Sequence, residues 1–228
     1  MQMARASNII SMRSVGLRFP DGPEVFFDLN WDVVRGSFVF LTGKSGSGKT
    51  SLLRMLYLAC KPTGGRLSVF DQDVASIRAE DVPFFRRQVG FIFQNFCLLP
   101  HLSALENVML PLCIRGVPED TAHRKAMDLL DWVELADESD RLPCALSGGQ
   151  QQRVAVVRAV VAQPKILLAD EPTGNIDDRM AVKLLYLFEE IQKAGVTIIL
   201  ATHNRHLAQE FGHTEVLLQD KKAVLVRG

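Results

Sequence analysis

The sequence predicts an α/β fold in which a mostly parallel sheet carries an N-terminal antiparallel β layer and an inserted α-helical subdomain. Three observations support this prediction. In the second half of the chain, short apolar runs alternate with amphipathic stretches, as in the strand–helix units of a parallel sheet. Residues 8–33 instead alternate apolar and polar side chains, which is typical of strands with one buried face. Residues 96–146 show helical patterns and no strand pattern.

The first part of the chain predicts a β-hairpin. Its second strand is the clearer one, because apolar residues recur at every second position: Val25, Phe27, Leu29, Trp31 and Val33. Residues 8–19 form a weaker strand candidate, and Pro20-Asp21-Gly22-Pro23 between the two strands is typical of a turn. Phe19, at the end of the first strand, is placed to stack on an adenine ring, with an ordinary core or loop aromatic as the alternative.

A glycine-rich loop follows the buried strand Phe38-Val39-Phe40-Leu41 and precedes a predicted helix over residues 50–60. It has the pattern G-x-x-x-x-G-K-[ST], formed by Gly43, Lys44, Ser45, Gly46, Ser47, Gly48, Lys49 and Thr50. The glycines let backbone N–H groups turn toward a phosphate, where a side chain would clash. Lys49 would reach the β- and γ-phosphates, and the Thr50 hydroxyl would ligate Mg²⁺. A chance loop of this form between a strand and a helix is rare, so the sequence predicts a P-loop NTPase core.

Beyond Pro62 and Gly64-Gly65, which break the chain, we expect strands over residues 66–70 and 88–94. A polar Gln94 closes the second strand, and by itself it would be a solvated strand end. The helical region then begins with a capping-box pattern at Ser103 and Glu106, and Pro118 opens a second helix. We expect one domain, with a core over residues 1–94 and 163–228 and a helical subdomain over residues 95–162.

A second anion-binding device is expected at the segment Leu146-Ser147-Gly148-Gly149-Gln150, which precedes a helix reaching about residue 162. Backbone N–H groups at a helix N-terminus have no partner within the helix, and the helix dipole favours a negative charge there. If this segment and the glycine-rich loop bind one triphosphate, they need not come from one molecule. A head-to-tail pair with a two-fold axis would close each nucleotide between two copies.

Two further groups are expected at the carboxyl edge of the sheet, where ligands of such sheets bind. The apolar strand over residues 166–169 ends in Asp170, which would hold Mg²⁺, and Glu171, which would accept a proton from an attacking water. The alternative is a strand that runs into an acidic turn. His203 follows the strand over residues 196–201, and it would contact a γ-phosphate and the water or merely cap a turn. Helices over residues 180–194 and 205–211 and strands over 215–218 and 223–226 complete the chain.

Composition narrows the function classes. With 228 residues, 47% of them hydrophobic, the chain is long enough for one sizeable core. Its 26 basic and 26 acidic residues give a net charge of zero, which argues against broad electrostatic binding of nucleic acid or lipid. The four cysteines have no C-x-x-C spacing, so we expect them reduced and mostly packed. Neither a signal peptide nor an apolar run of about 20 residues is present, which predicts a cytoplasmic protein.

In their order and approximate spacing, these motifs resemble those of ABC-transporter ATPase subunits: Walker A, the Q-loop at Gln94, the signature motif, Walker B, the D-loop Asn175-Ile176-Asp177 and the H-loop at His203. The resemblance covers essentially the whole chain. It implies ATP and Mg²⁺ as cofactors, an ATP-bound homodimer, and a membrane partner held against the helical subdomain. It also implies that Phe19 stacks on adenine, that Gln94 contacts Mg²⁺ and the attacking water, and that Ser51, Ser147, Gly148, Gly149, Gln150 and Asp177 belong to the nucleotide site.

Within that family the chain most resembles the bacterial cell-division branch, through Val82-Pro83-Phe84-Phe85-Arg86-Arg87-Gln88-Val89-Gly90 and the residues after Glu171. ATPases of that branch work with the integral membrane protein FtsX at the division septum, where the pair is thought to control cell-wall hydrolases. Lipoprotein-releasing and macrolide-export ATPases share Pro172-Thr173-Gly174-Asn175, so an exporter motor is the alternative. A soluble ABC protein acting on ribosomes or DNA usually carries two cassettes or a long inserted arm. A small-molecule kinase would give the signature motif no task.

Overall fold

The computed structural model describes residues 7–20 and 22–227, arranged as two sheets and a set of helices. The strands are β1 (Asn8–Arg18), β2 (Glu24–Val34), β3 (Phe38–Thr42), β4 (Gly64–Val69), β5 (Gln72–Asp73), β6 (Val89–Ile92), β7 (Ile166–Asp170), β8 (Thr197–Ala201), β9 (Thr214–Gln219) and β10 (Lys222–Arg227). The α-helices are α1 (Lys49–Leu56), α2 (Val82–Arg86), α3 (Ala104–Ile114), α4 (Glu119–Trp132), α5 (Gly148–Val160), α6 (Asp178–Lys193) and α7 (Arg205–Phe211). The predicted α/β class is confirmed.

The smaller sheet is antiparallel, with the strand order β2-β1-β4-β5. The predicted hairpin is present, because β1 and β2 pair antiparallel with Ser11 opposite Asp32. Asp21, in the predicted turn, lies outside the described residues. The sequence did not indicate that β4 would join the hairpin on its other side, nor did it predict the two-residue strand β5 or the short helix α2.

The larger sheet has the order β10-β9-β3-β8-β7-β6. From β9 to β6, each strand pairs with its neighbour in parallel. Both faces of β3 are buried: Phe38 and Phe40 belong to the core under the helical region, while Val39 and Leu41 belong to the core under the antiparallel sheet. Because β3, β7 and β8 run in the same direction, the loops that follow them meet at one edge. That edge holds the predicted site.

The region between residues 96 and 146 contains helices and no strand, as predicted. Helix α3 begins with the predicted capping box, in which Ser103 accepts from the Glu106 N–H and Glu106 accepts from the Ser103 N–H. Helices α3 and α4 pack on α5, which in turn packs against β6. The proposed division into a core and a helical subdomain stays a prediction. Within the described ranges, no helix combines the length and the hydrophobicity that crossing a bilayer requires.

Three expectations need correction. Strand β6 ends at Ile92, so Gln94 lies in the following turn and does not close the strand. Helix α1 ends at Leu56, four residues early, because Leu58 takes up a left-handed backbone conformation with φ 58°. The cysteines are not mostly packed, since only Cys60 is half-buried, and three lie exposed in a loop, in α3 and in a short 3₁₀ helix: Cys97, Cys113 and Cys144.

Candidate functional site

The glycine-rich loop joins the end of β3 to the start of α1, and its lysine is folded back over the loop. Lys49 is only 8% exposed. Its Nζ atom donates to the backbone oxygens of Gly43 (2.9 Å) and Lys44 (3.3 Å). The exposed residues Lys44, Ser45 and Gly46 form the outer part of the loop. A buried ammonium held by weak carbonyl acceptors is free to exchange them for phosphate oxygens, which are better partners.

Two glycines of this loop are required by close packing. A Cβ atom on Gly48 would lie 2.8 Å from the ring of Phe26, which belongs to β2. One on Gly43 would lie 2.7 Å from the backbone oxygen of Leu218. Gly48 also has φ 98°, which disfavours other residues. The antiparallel sheet and β9 therefore hold the loop from two sides. Within it, the buried Oγ of Ser47 has no hydrogen-bond partner in the described structure, which suits a loop that receives an acceptor-rich ligand.

Asp170, the last residue of β7, is 3% exposed. Burial raises the pKa of its carboxyl group, a hydrogen bond from the Thr50 hydroxyl opposes that shift, and the charge of Glu171 adds to it. Thr50 and Asp170 thus place a hydroxyl and a carboxylate side by side. Hard oxygen ligands of this kind fit Mg²⁺, whose charge would offset the cost of burying the carboxylate. Gln94 is exposed in the turn after β6, and its role at this site stays a prediction.

Glu171 and His203, two of the three predicted catalytic residues beside Gln94, are in contact. The Glu171 Oε2 atom lies 2.9 Å from Nδ1 of His203. Glu171 has φ 51°, an unfavourable backbone conformation for a non-glycine residue. Its N–H donates to the Ala201 oxygen on β8, so the neighbouring strand fixes the turn. The Glu171 side chain is 16% exposed and that of His203 is 72% exposed, which leaves the pair open to a reactant.

The signature turn is exposed, and its own polar groups stabilise it. Ser147 caps α5: its Oγ accepts from the Gln150 N–H (3.2 Å), and the Gln150 Oε1 accepts from the Ser147 N–H (2.8 Å). The other end of the Gln150 amide donates to Glu138, so this side chain is engaged within the chain. The Ser147 hydroxyl keeps its proton to donate, because capping uses only a lone pair. Ser147 and Gly148 are exposed and Gly149 is half-buried.

The two outlying residues of the predicted nucleotide site have different surroundings. Phe19, directly after β1, is 40% exposed, as a ring that stacks on a base would need to be. Asp177 instead caps α6, where its Oδ1 accepts from the Met180 N–H at 2.9 Å. That backbone hydrogen bond lowers the pKa of the Asp177 carboxyl. Its predicted contact with a nucleotide, like the roles of Phe19 and Ser51, stays a prediction.

Helix α5 carries two polar residues that the sequence reading missed, the buried Gln152 and the half-buried Arg158. Gln152 is 2% exposed and bonds to the turn after β7. Arg158 donates to the backbone oxygens of Phe96 and Cys97, both at 2.7 Å, in the loop after Gln94. Burial lowers the pKa of the Arg158 guanidinium. The available signal was weak: Gln152 lies four residues before the buried Val156, so it is a polar residue on an apolar helix face.

A phosphate-cradling loop, a buried lysine, a threonine beside a buried aspartate and a glutamate at one sheet edge define a P-loop nucleoside-triphosphate hydrolase. Comparison with known proteins gives the family. The sequence model of the ABC transporter family matches residues 26–174, more than half of the chain. The chain therefore belongs to the ABC transporter family, as an ATP-hydrolysing subunit, and the resemblance seen in the motifs is confirmed.

Curated relatives match along most of their length. The cell division ATP-binding protein FtsE of Bacillus subtilis is 34% identical over 219 residues, which cover 96% of this chain and 95% of that protein. FtsE of Escherichia coli K12 is 38% identical over 212 residues, or 93% and 96% of the two chains. FtsE of Haemophilus influenzae is 41% identical over 182 residues, or 80% and 84%.

Solved structures give the same fold. The dimeric structure of the ATP-binding cassette MJ0796 in a post-hydrolysis state, with ADP and phosphate bound, aligns with a TM-score of 0.88 at 31% identity. The alignment covers 96% of this chain and 99% of that one. A second dimeric structure of MJ0796, described as a bacterial ABC transporter cassette, gives a TM-score of 0.89 at 32% identity.

Proposed function

We propose that this chain is the ATPase subunit of a bacterial cell-division system, in which it drives conformational change in an FtsX-like integral membrane protein. That change would regulate hydrolysis of the cell wall at the septum. The observation that carries the proposal is the similarity to FtsE proteins of three bacterial species along 80–96% of this chain. The protein would work on the cytoplasmic face of the membrane and reach it through its partner.

In the proposed chemistry, Glu171 acts as the general base. In the His203 tautomer that carries its proton on Nδ1, this N–H would donate to the Glu171 carboxylate and fix both side chains. The second carboxylate oxygen then accepts the proton of the water that attacks the γ-phosphorus, the bond to the β–γ bridging oxygen breaks, and ADP leaves. Lys49 moves from the loop carbonyls to the phosphate oxygens. Thr50 and Asp170 would hold Mg²⁺, with Gln94 as a third ligand. When bound, the ion offsets the negative charge that builds up on the phosphate oxygens.

We further propose that two copies close around ATP, so that the signature turn of one copy completes the site of the other. The exposed Ser147 hydroxyl with its free proton supports this, because it can donate to a phosphate and still cap α5. The dimeric state of the MJ0796 cassette, of similar fold, supports it as well. A single copy should then bind ATP and hydrolyse it slowly.

The membrane partner would dock in a groove of about 450 Å³ between β6, α3 and α5. Aromatic and aliphatic side chains line its floor, among them Phe91, Phe93 and Ile114. None of the described lining residues is acidic. Four arginines also line the groove: Arg86, Arg87, Arg115 and Arg158. In the described part of the chain these arginines donate to backbone oxygens or lie over an aromatic ring, and none pairs with a carboxylate. An apolar segment carrying carboxylates would complement this groove.

The first experiment identifies the partner. The tagged chain is purified from native membranes in parallel with Arg87→Glu, which reverses an exposed groove charge, and Arg66→Glu, which reverses an exposed charge on β4. An FtsX-like protein with four spans should accompany the wild type and Arg66→Glu and be depleted with Arg87→Glu. Recovery of a larger permease instead would favour the exporter alternative, and recovery of no membrane protein would contradict both.

The second experiment tests the chemistry. Glu171→Gln removes the base but keeps the size of the side chain, so hydrolysis should fall by about 10²- to 10⁴-fold while ATP stays bound. Because the nucleotide persists, this variant should elute as a dimer with ATP and as a monomer without it. Undiminished turnover in Glu171→Gln would exclude the proposed base.

A further inference from the structure

We propose that Gln152 is a positioning residue for hydrolysis, which ties the helix behind the signature turn to the loop that carries the general base. The inference rests on the proposed role of Glu171 as that base. Gln152 would not touch the nucleotide, so it is not a catalytic residue. It would act by fixing where the Glu171 carboxylate points.

The amide of Gln152 bonds to both ends of the turn that follows β7. Its Nε2 donates to the backbone oxygen of Glu171 at 3.0 Å, and its Oε1 accepts from the Asn175 N–H at 3.0 Å. The side chain is buried, with 2% exposure. One planar amide therefore bridges residues 171 and 175 of the loop. A flipped amide would lose both bonds, because its oxygen would face the Glu171 oxygen and its NH₂ group would face the Asn175 N–H. Without these bonds, the loop would retain a weaker link between Gly174 N–H and the Glu171 oxygen, at 3.3 Å.

The position of the Glu171 carboxylate depends on this clamp because its backbone conformation is unfavourable. A left-handed φ of 51° at a glutamate persists only where surrounding bonds determine it. The Ala201 oxygen holds the Glu171 N–H, and Gln152 holds the Glu171 carbonyl, so the peptide groups on either side of Cα are fixed. If one were released, the carboxylate would move relative to His203. A misplacement of about 1 Å can cost about 10²-fold in rate.

The clamp also connects the site to the second copy. Gln152 lies five residues after Ser147 on the same helix, and a Cβ atom on Gly149 would lie 3.0 Å from the Asn175 oxygen. The first turn of α5 thus packs on the same loop that Gln152 holds. When the signature turn contacts a nucleotide bound by the other copy, any shift of α5 would move the loop that carries Glu171 in the same chain as the turn. This arrangement gives a physical route by which closure at one site sets the base at the other.

The test compares two neighbouring glutamines in the full-length chain. Gln152→Met replaces the amide with an apolar side chain of similar length. Gln151→Met is the matched control, because Gln151 also uses Nε2 to bind a backbone oxygen, that of Leu146 at 3.1 Å, and makes no bond to the loop. Single-turnover hydrolysis, with protein in excess over ATP, reports the chemical step even at a slow basal rate. ATP affinity and Tm are measured on the same samples.

We expect Gln152→Met to lower the single-turnover rate by about 10- to 100-fold and to change ATP affinity by less than about twofold. Gln151→Met should stay within about twofold of the wild type in both. Amide hydrogen exchange should become faster over residues 171–177 in Gln152→Met and not in Gln151→Met. A purely structural role would instead lower Tm, affinity and rate together.

A folded Gln152→Met with an undiminished rate would overturn the proposal, as would equal losses in the two methionine variants. If Gln152→Met shows no cooperative unfolding, Gln152→Glu carries the test, because it keeps the acceptor for Asn175 and loses the donor to Glu171. It should show slow hydrolysis with normal ATP affinity, and an undiminished rate would again overturn the proposal. Failure of Glu171 as the base would show separately, as full turnover in Glu171→Gln.

Discussion

The loop after β3 and the turn before α5 both offer backbone N–H groups to a phosphate, yet they are held in opposite ways. The loop is held by residues of other elements: Phe26 and Leu218 pack closely against its glycines. The ammonium of Lys49 is buried within the loop. The turn is capped mainly by two of its own residues, Ser147 and Gln150, and exposes Ser147 and Gly148 to solvent. The first segment depends on the whole fold, whereas the second depends on a local cap.

Because of this difference, substitutions in the two segments should differ in how they affect stability and hydrolysis. Changes in the loop should affect both, because packing and phosphate binding use the same atoms. Changes in the turn should affect stability as any helix cap does and affect hydrolysis much more, because the turn is proposed to act on a nucleotide held by another copy. Substitutions in the two segments, each compared with a matched control, can therefore break or sharpen the contrast.

The largest effect is expected for Lys49→Ala. The substitution removes the buried ammonium proposed to meet the phosphates, so hydrolysis should fall by about 10³-fold or more. ATP binding, followed by calorimetry, should weaken in parallel. Lys193→Ala, which removes an exposed ammonium paired with Glu190, is the control and should leave both unchanged. Normal ATP affinity in Lys49→Ala would mean that the loop does not bind the phosphates.

Ser147→Ala should show the contrast most sharply. Loss of an N-cap costs about 1 kcal/mol of stability. Loss of a hydroxyl proposed to donate to a phosphate should lower hydrolysis by about 10²-fold. Ser103→Ala is the matched control, because Ser103 caps α3 through the same capping box. Ser103→Ala should give a similar drop in Tm with normal hydrolysis, and equal hydrolysis in both variants would remove Ser147 from the site.

Gly48→Ala tests whether the antiparallel sheet supports the loop. The added methyl group would lie 2.8 Å from the Phe26 ring at a residue with φ 98°, so the free energy of unfolding should fall by about 1–3 kcal/mol. Gly46→Ala is the control, since Gly46 has φ 78° and no atom within 4 Å of the added Cβ. The difference between the two, measured by denaturant unfolding without nucleotide, isolates the contact with Phe26 and Val25 of β2.

The smallest effect on stability is expected for Asp170→Asn, and it has the opposite sign. Burial raises the pKa of this carboxyl above its usual value of 3.8, so the folded state binds the proton more tightly than the unfolded state. Stability therefore decreases as pH rises from below 3.8 through the raised pKa, and above that pKa the full cost is present. Asp170→Asn should stabilise the protein by about 1 kcal/mol at pH 7 in metal-free buffer while abolishing hydrolysis.

Thermal unfolding checks this result, with Asp128→Asn on the exposed face of α4 as the control. The gain should shrink at acidic pH, where the wild-type carboxyl is protonated. A lower Tm for Asp170→Asn at pH 7 would contradict the sign of the effect.

The parts of the site that the sequence predicted are those whose chemistry is local. Glycines next to Lys49, and an apolar strand ending in Asp170 and Glu171, show their roles within a few residues of chain. Gln152 and Arg158 were missed because their partners lie 19 to 62 residues away, and only the packing of α5 against both loops reveals them. The end of β6 was misplaced for a related reason: Phe93 continues the apolar alternation, while the ladder with β7 stops at Ile92.

The arginines of the groove between β6, α3 and α5 also bear on how a complex with the partner would form. A chain with equal numbers of basic and acidic residues has no long-range attraction for an anionic surface, and four charges in one groove act only over about 8 Å at physiological salt. Encounter would thus proceed at the ordinary diffusive rate. The arginine charges would instead slow dissociation once the two proteins are in contact. Added salt should therefore shorten the residence time of the complex much more than it lowers the association rate.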